Sequence, residues 1–93
     1  MDTIRNNTAL SRYEMDVGGD TAFANYRLAP GAPGTVIITH VETPRALRGR
    51  GIGARMVDGT LRMIRADGLK VVAGCSFARA YLAEHPEYHD LIA

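Results

Sequence analysis

The sequence predicts an α+β fold in which a three-stranded antiparallel meander leads into a helix, a parallel fourth strand and a C-terminal helix. Apolar residues alternate with period two in the first half of the chain, and the period becomes helical directly after Gly51. A short apolar strand then begins at Lys70. A strand reached through a crossover helix lies parallel to one that precedes it, which fixes the direction of this last strand.

From Arg12 to Val17, Tyr13, Met15 and Val17 share one side and Arg12, Glu14 and Asp16 the other, the pattern of a half-buried strand. Gly18-Gly19-Asp20 is a tight turn, and Thr21 to Ala29 resumes an extended composition through Phe23 and Tyr26. Pro30-Gly31-Ala32-Pro33-Gly34 turns the chain again into Thr35 to Val41, the strongest strand signal. Alternation there places Val36, Ile38, His40 and Glu42 on one face and Ile37, Thr39 and Val41 on the other. In the helix, Gly53, Met56, Val57, Thr60, Leu61 and Ile64 form one stripe. Arg55, Asp58, Arg62 and Arg65 lie opposite, with Asp58 and Arg62 spaced to pair. Gly68 is a left-handed cap, Lys70 to Ala73 the fourth strand, and Ser76 the cap of a second helix through about Glu84, where Pro86 interrupts it. His85 to Ala93 adds one more helical turn, and Phe77, Tyr81 and Leu82 join the Met56 stripe in the core. Since the third and fourth strands run parallel, the loops after them share one sheet edge, which brings Cys75 near the glycine loop and His40.

With 93 residues and 10.1 kDa the chain fits one domain, 1–93. A net charge of +1 gives no long-range field for nucleic acid or a membrane surface. Met1 to Asn7 has neither an apolar run nor a cleavage pattern, and no segment is long enough to span a bilayer, so the expectation is a cytoplasmic protein. Cys75 is the single cysteine, which excludes an internal disulfide and a cysteine-based zinc site, and no metal site is expected.

Chemistry concentrates in Pro44 to Ala54. Glycines at 49, 51 and 53 let the backbone turn tightly and approach a ligand closely, and the loop opens a helix. Amides at a helix start point outward without intrahelical partners, the helix dipole adds partial positive charge there, and Arg48 and Arg50 add formal charge. A phosphate or diphosphate is the natural guest. A P-loop would need Lys and Ser or Thr after its last glycine, where Ala54 and Arg55 stand. The dinucleotide fingerprint fits the glycine spacing, but Glu42 to Leu47 separates the loop from its strand and no ribose-binding acid follows.

These residues resemble the GNAT superfamily of acyl-CoA-dependent N-acyltransferases. Its signature, Arg/Gln-x-x-Gly-x-Gly/Ala, is met by Arg48, Gly51 and Gly53 after a Thr-Pro-x-x-Leu-Arg-Gly lead-in. The chain looks like the minimal single-domain subgroup, which shares the features that stand here as His40, Glu42, Cys75, Tyr81 and His85-Pro86-Glu87-Tyr88. Thr35 to Leu91 carries the likeness well and the first two strands loosely. The resemblance implies a GNAT-like fold with coenzyme A or acetyl-CoA wedged between splayed parallel strands. Its pyrophosphate would lie on Arg48, Gly49, Arg50, Gly51, Ile52, Gly53 and Ala54, and its pantetheine along Val41, Glu42 and Thr43. Larger members carry a helical insertion after the first strand, where this chain has only Gly18-Gly19-Asp20, so the acceptor site is either open or completed by another subunit in an oligomer. Their acid-donating tyrosine is also displaced, with Leu82 at its place and Tyr81 beside it.

Acyl transfer to an amine needs a base, donors for the oxyanion and an acid for the departing thiolate. His40 and Glu42 are the base candidates. Cys75 either protonates the coenzyme A thiolate or accepts the acyl group itself, and its plainer reading is a small buried residue. His85 and Tyr88 read as packing groups, and Arg45 either reaches a coenzyme A phosphate or is solvated. The function expected is an acetyl-CoA-dependent N-acetyltransferase acting on an amine, directly or through Cys75. A non-catalytic acyl-CoA-binding module is the alternative.

Overall fold

A computed structural model describes residues 3–93. The elements run β1 (Arg5–Asn7), β2 (Arg12–Val17), β3 (Asp20–Leu28), β4 (Thr35–Glu42), α1 (Ile52–Ala66), β5 (Lys70–Ala73) and α2 (Ser76–Glu84), with short 3-10 turns at Arg45–Leu47 and Pro86–Leu91. The strands form one sheet in sequence order, antiparallel except for the parallel pair β4 and β5. The α+β fold expected from the sequence is present, with one strand more.

That additional strand is β1, which pairs with β2 through Arg5↔Glu14, Asn6↔Tyr13 and Asn7↔Arg12. Arg-Asn-Asn carries no apolar alternation, so nothing in its pattern announces a strand. Side chains hold it instead. Arg5 and Asn7 donate to Glu14 at 2.8 and 3.2 Å, and Tyr26 donates its hydroxyl to Asn6 at 2.8 Å. The same contacts explain Glu14, which alternation assigns to the polar side but which is only 3% exposed. The hydrogen bond from Arg12, with those from Asn7 and the charge of Arg5, holds its carboxyl below the ordinary range against the opposing effect of burial.

One face of the sheet is packed. Tyr13, Met15, Ala22, Ala24, Val36, Ile38 and Val71 meet Ile52, Met56, Val57, Leu61 and Ile64 of α1 and Ala78 and Leu82 of α2 in a single core. Registers Asn25↔His40 and Tyr26↔Ile38 leave Thr39 as an extra residue in β4, a bulge that reverses the facing of everything after it. Val41, opposite the buried Ala24, therefore takes the core side. His40 and Glu42 lie opposite Asn25 and Phe23 on the other face, so the alternation that grouped them with Val36 and Ile38 is corrected by one inserted residue.

The helix ends where the sequence places its stop. Gly68, at φ 71°, donates to Arg65 O and Leu69 donates to Ile64 O, the paired bonds of a Schellman cap. Asp58 then ties the C-terminal part to α1. Its carboxylate accepts from Tyr81 Oη at 2.9 Å, Tyr88 Oη at 2.6 Å and Arg62 Nε at 2.7 Å. Burial pushes this carboxyl up, but the two hydroxyls and the guanidinium outweigh it and leave it below its ordinary 3.8. A carboxyl depressed on folding contributes stability that is present above its unfolded value and is lost as pH falls through the folded one. Asp58→Asn should therefore destabilise the protein at neutral pH by about 1–3 kcal/mol in urea denaturation. The difference from wild type should shrink below about pH 4, and a gap that stays constant down to pH 2 would contradict an ionised latch.

Candidate active site

The site begins where two strands separate. β4 and β5 pair from Thr35↔Lys70 to Ile38↔Ala73, and the last link is Gly74 N–H to Ile38 O at 2.7 Å. A Cβ on Gly74 would stand 2.7 Å from that carbonyl oxygen, so the closing contact needs glycine. Beyond it β4 continues to Glu42, while the other chain turns at Cys75 into α2.

The opening is a groove of about 370 Å³ lined by His40, Val41, Glu42, Thr43, Arg48 and Phe77. A second groove of about 240 Å³ is lined by Thr43, Leu47, Arg48, Gly49, Gly51, Ile52, Gly53 and Phe77. Thr43, Arg48 and Phe77 belong to both, so one channel leads from His40 to the start of α1. A separate cleft of about 280 Å³, lined by Ala73, Arg79, Leu82, Ala83, His89 and Ile92, lies between α2 and the tail and contains no part of the glycine loop.

At its α1 end the channel presents hydrogen-bond donors of a kind that suits an anion. Leu47, 4% exposed, anchors the 3-10 turn that delivers the loop, and Gly49 and Gly51 adopt φ 80° and 72°. Gly51 caps α1 without any side-chain bond, and the first intrahelical bond is Arg55 N–H to Gly51 O at 3.2 Å. The amides of Ile52, Gly53 and Ala54 precede that bond, and no acidic residue occupies the first turn. The donor set thus suits a diphosphate, the group the glycine loop implies. Ile52 is 1% exposed, so it offers a ligand its amide rather than its side chain. Arg50 and Ala54 are exposed and line neither groove, and Arg45 is exposed as well.

At the other end His40 Nε2 lies 2.9 Å from Glu42 Oε1, and Arg48 approaches Glu42 Oε2 at 3.5 Å while donating from Nε to Thr43 O at 3.4 Å. The hydrogen bond from His40, with the charge of Arg48, holds the Glu42 carboxyl below the ordinary range against burial. Glu42 is thus a carboxylate with both oxygens engaged.

Cys75, expected beside the loop and His40, follows the closing Gly74 but lines neither groove. It replaces Ser76 as the cap of α2, its Sγ accepting Ala78 N–H at 3.4 Å, and it packs partly buried against the core. Tyr81 is turned to Asp58 and stacks on His85 with ring centroids 3.9 Å apart. Tyr88 is 3% exposed and also bound to Asp58.

Phe77 also departs from its expected place. Expected in the core, it is 47% exposed and stands in both grooves. The buried stripe of α2 is set by Ala78 and Leu82, four residues apart, and Phe77 falls off it. Its ring lies where a Cβ on Gly53 would be only 2.9 Å from Cζ, so Gly53 is also the space that the aromatic ring fills. Because the phosphate-loop signature already accounts for Gly53, the sequence carried no separate signal for this ring.

The solution structure of a GCN5-like candidate N-acetyltransferase from Staphylococcus aureus resembles this chain with a TM-score of 0.70 and 24% identity, covering 98% of this chain and 87% of that one. That likeness is one of fold. No curated protein matches the chain. The model of the GCN5-related N-acetyltransferase family, however, matches residues 12–91. That span takes in β2 to β5, the glycine loop, both helices and every residue of the channel, and the chain accordingly belongs to this family of acyltransferases.

Proposed function

We propose that the protein transfers an acetyl group from acetyl-CoA directly to an amine, with His40 as the base. The observation that carries this reading is the single channel joining the α1 amides to the His40–Glu42 pair. The α1 amides and Arg48 would hold the diphosphate, and the backbone of Val41 to Thr43, beyond the last β4–β5 link, would pair with the pantetheine amides. Acetyl-CoA supplies the activated thioester: the amine nitrogen would bond to its acyl carbon, the carbon–sulfur bond would break, and the thiolate would leave as coenzyme A with the proton that the nitrogen gives up on becoming an amide.

The chain's own residues then have distinct tasks. An amine arrives largely as an ammonium ion and must lose a proton before it can attack. Glu42, being ionised, accepts only, so the His40 Nε2 that faces it bears hydrogen and Nδ1 is left to take the amine's proton. Glu42 orients the base rather than serving as one. Direct transfer is favoured over an acyl-cysteine because the Cys75 sulfur is occupied as a helix cap and outside the channel linings.

With acetyl-CoA and a panel of primary amines, thiol release should accompany acetylated product. Binding of coenzyme A without transfer to any amine would favour a binding module instead. His40→Ala should lower kcat about 10²- to 10⁴-fold and leave coenzyme A affinity nearly unchanged, while Cys75→Ser should retain activity. Loss of turnover in Cys75→Ser, with an acetylated protein of added mass in the wild type, would replace direct transfer by a covalent route.

Phe77→Ala removes one wall of the channel and should raise KM for acetyl-CoA about tenfold, close to the value of a buried aromatic contact. Phe77→Leu should recover part of the loss. An unchanged KM in Phe77→Ala would mean that the cofactor does not pass this ring.

A further inference from the structure

Arg48 stands between a carboxylate and a groove suited to an anion. Its guanidinium approaches Glu42 Oε2 at 3.5 Å, and the same side chain lines the groove that runs to the α1 amides. Its bonds to Glu42 and to Thr43 O, at 3.5 and 3.4 Å, are long for N–H···O. The side chains of Arg48 and Glu42 are 61% and 37% exposed, so solvent screens the pair. It is weakly held. A diphosphate offers a guanidinium two parallel charge-assisted bonds, a stronger arrangement than one long contact to a carboxylate that His40 already occupies.

We propose that Arg48 is shared: it rests on Glu42 in the free protein and is drawn away by the cofactor's diphosphate, so that Glu42 competes with the cofactor for Arg48 and is left to His40 once the channel is filled. This rests on the function proposed above. Arg48 is then both a cofactor ligand and a positioning residue for the His40–Glu42 pair. Glu42 carries a cost in affinity that is linked to its service to the base, because a contact that must be broken on binding weakens that binding.

The test is a double-mutant cycle on the dissociation constant of coenzyme A, measured on the full chain for wild type, Glu42→Gln, Arg48→Gln and the double variant. Arg48→Gln should weaken binding about tenfold. Glu42→Gln should tighten it about two- to fivefold, the range of an exposed ion pair. That gain should largely vanish in the Arg48→Gln background. In turnover, Glu42→Gln should lower both KM for acetyl-CoA and kcat, a split that loss of fold would not produce, and unchanged thermal melting checks the fold itself. The inference is overturned if Glu42→Gln weakens coenzyme A binding, or if it tightens binding equally with and without Arg48, as a simple field effect would. Failure of the wild type to bind coenzyme A at all would overturn the proposed function instead, a result distinct from binding with an additive cycle.

Discussion

The structure depends on how far β4 and β5 remain together. Four residue pairs and one amide from Gly74 hold them in parallel register, and after Ile38 they part. Hydrogen-bonding groups on the separated stretch of β4 lose their neighbour strand, and the amides of a helix start lie across the gap. The bulge at Thr39 falls at this same place and turns His40 and Glu42 to the face away from the core. Strand separation, side-chain facing and the polar channel are therefore one local event.

The surrounding fold packs around that event. α1 packs one face against β2 to β5, and Ile52, 1% exposed, seats its start in the core beside β4. α2 and the tail are tied back to α1 through Asp58 and two tyrosine hydroxyls. Tyr81 is thereby committed to structure, and its hydroxyl is pushed up by burial and by the neighbouring carboxylate rather than tuned to donate a proton at neutral pH. Phe77, one position off the buried stripe, is left standing in the channel.

Much of this is legible in the sequence because it is periodic or punctuated. Period two locates β2 and the core of β4, the helical stripe and Gly68 locate α1, and the alternating glycines locate its uncapped start. What escapes is of another kind. β1 is held by Arg5, Asn6 and Asn7 through polar side chains and leaves no apolar trace. The bulge inserts one residue without any composition signal and inverts the face of His40 and Glu42. Cys75 caps α2 in place of Ser76 because the chain turns one residue sooner than the usual capping preference suggests. Glu14 is buried by charges that come from two strands at once, which a single-strand pattern cannot register.

In the proposed function, the parted end of β4 and the first turn of α1 form one cofactor channel. Titration of the ¹⁵N-labelled protein with coenzyme A, followed by amide chemical shifts, tests it most directly. The amides of Ile52, Gly53 and Ala54 should move together with those of Val41 to Thr43 and report one common affinity. Coenzyme A binding that leaves those amides still, and instead shifts residues such as Ala83 and His89 along the cleft between α2 and the tail, would contradict it.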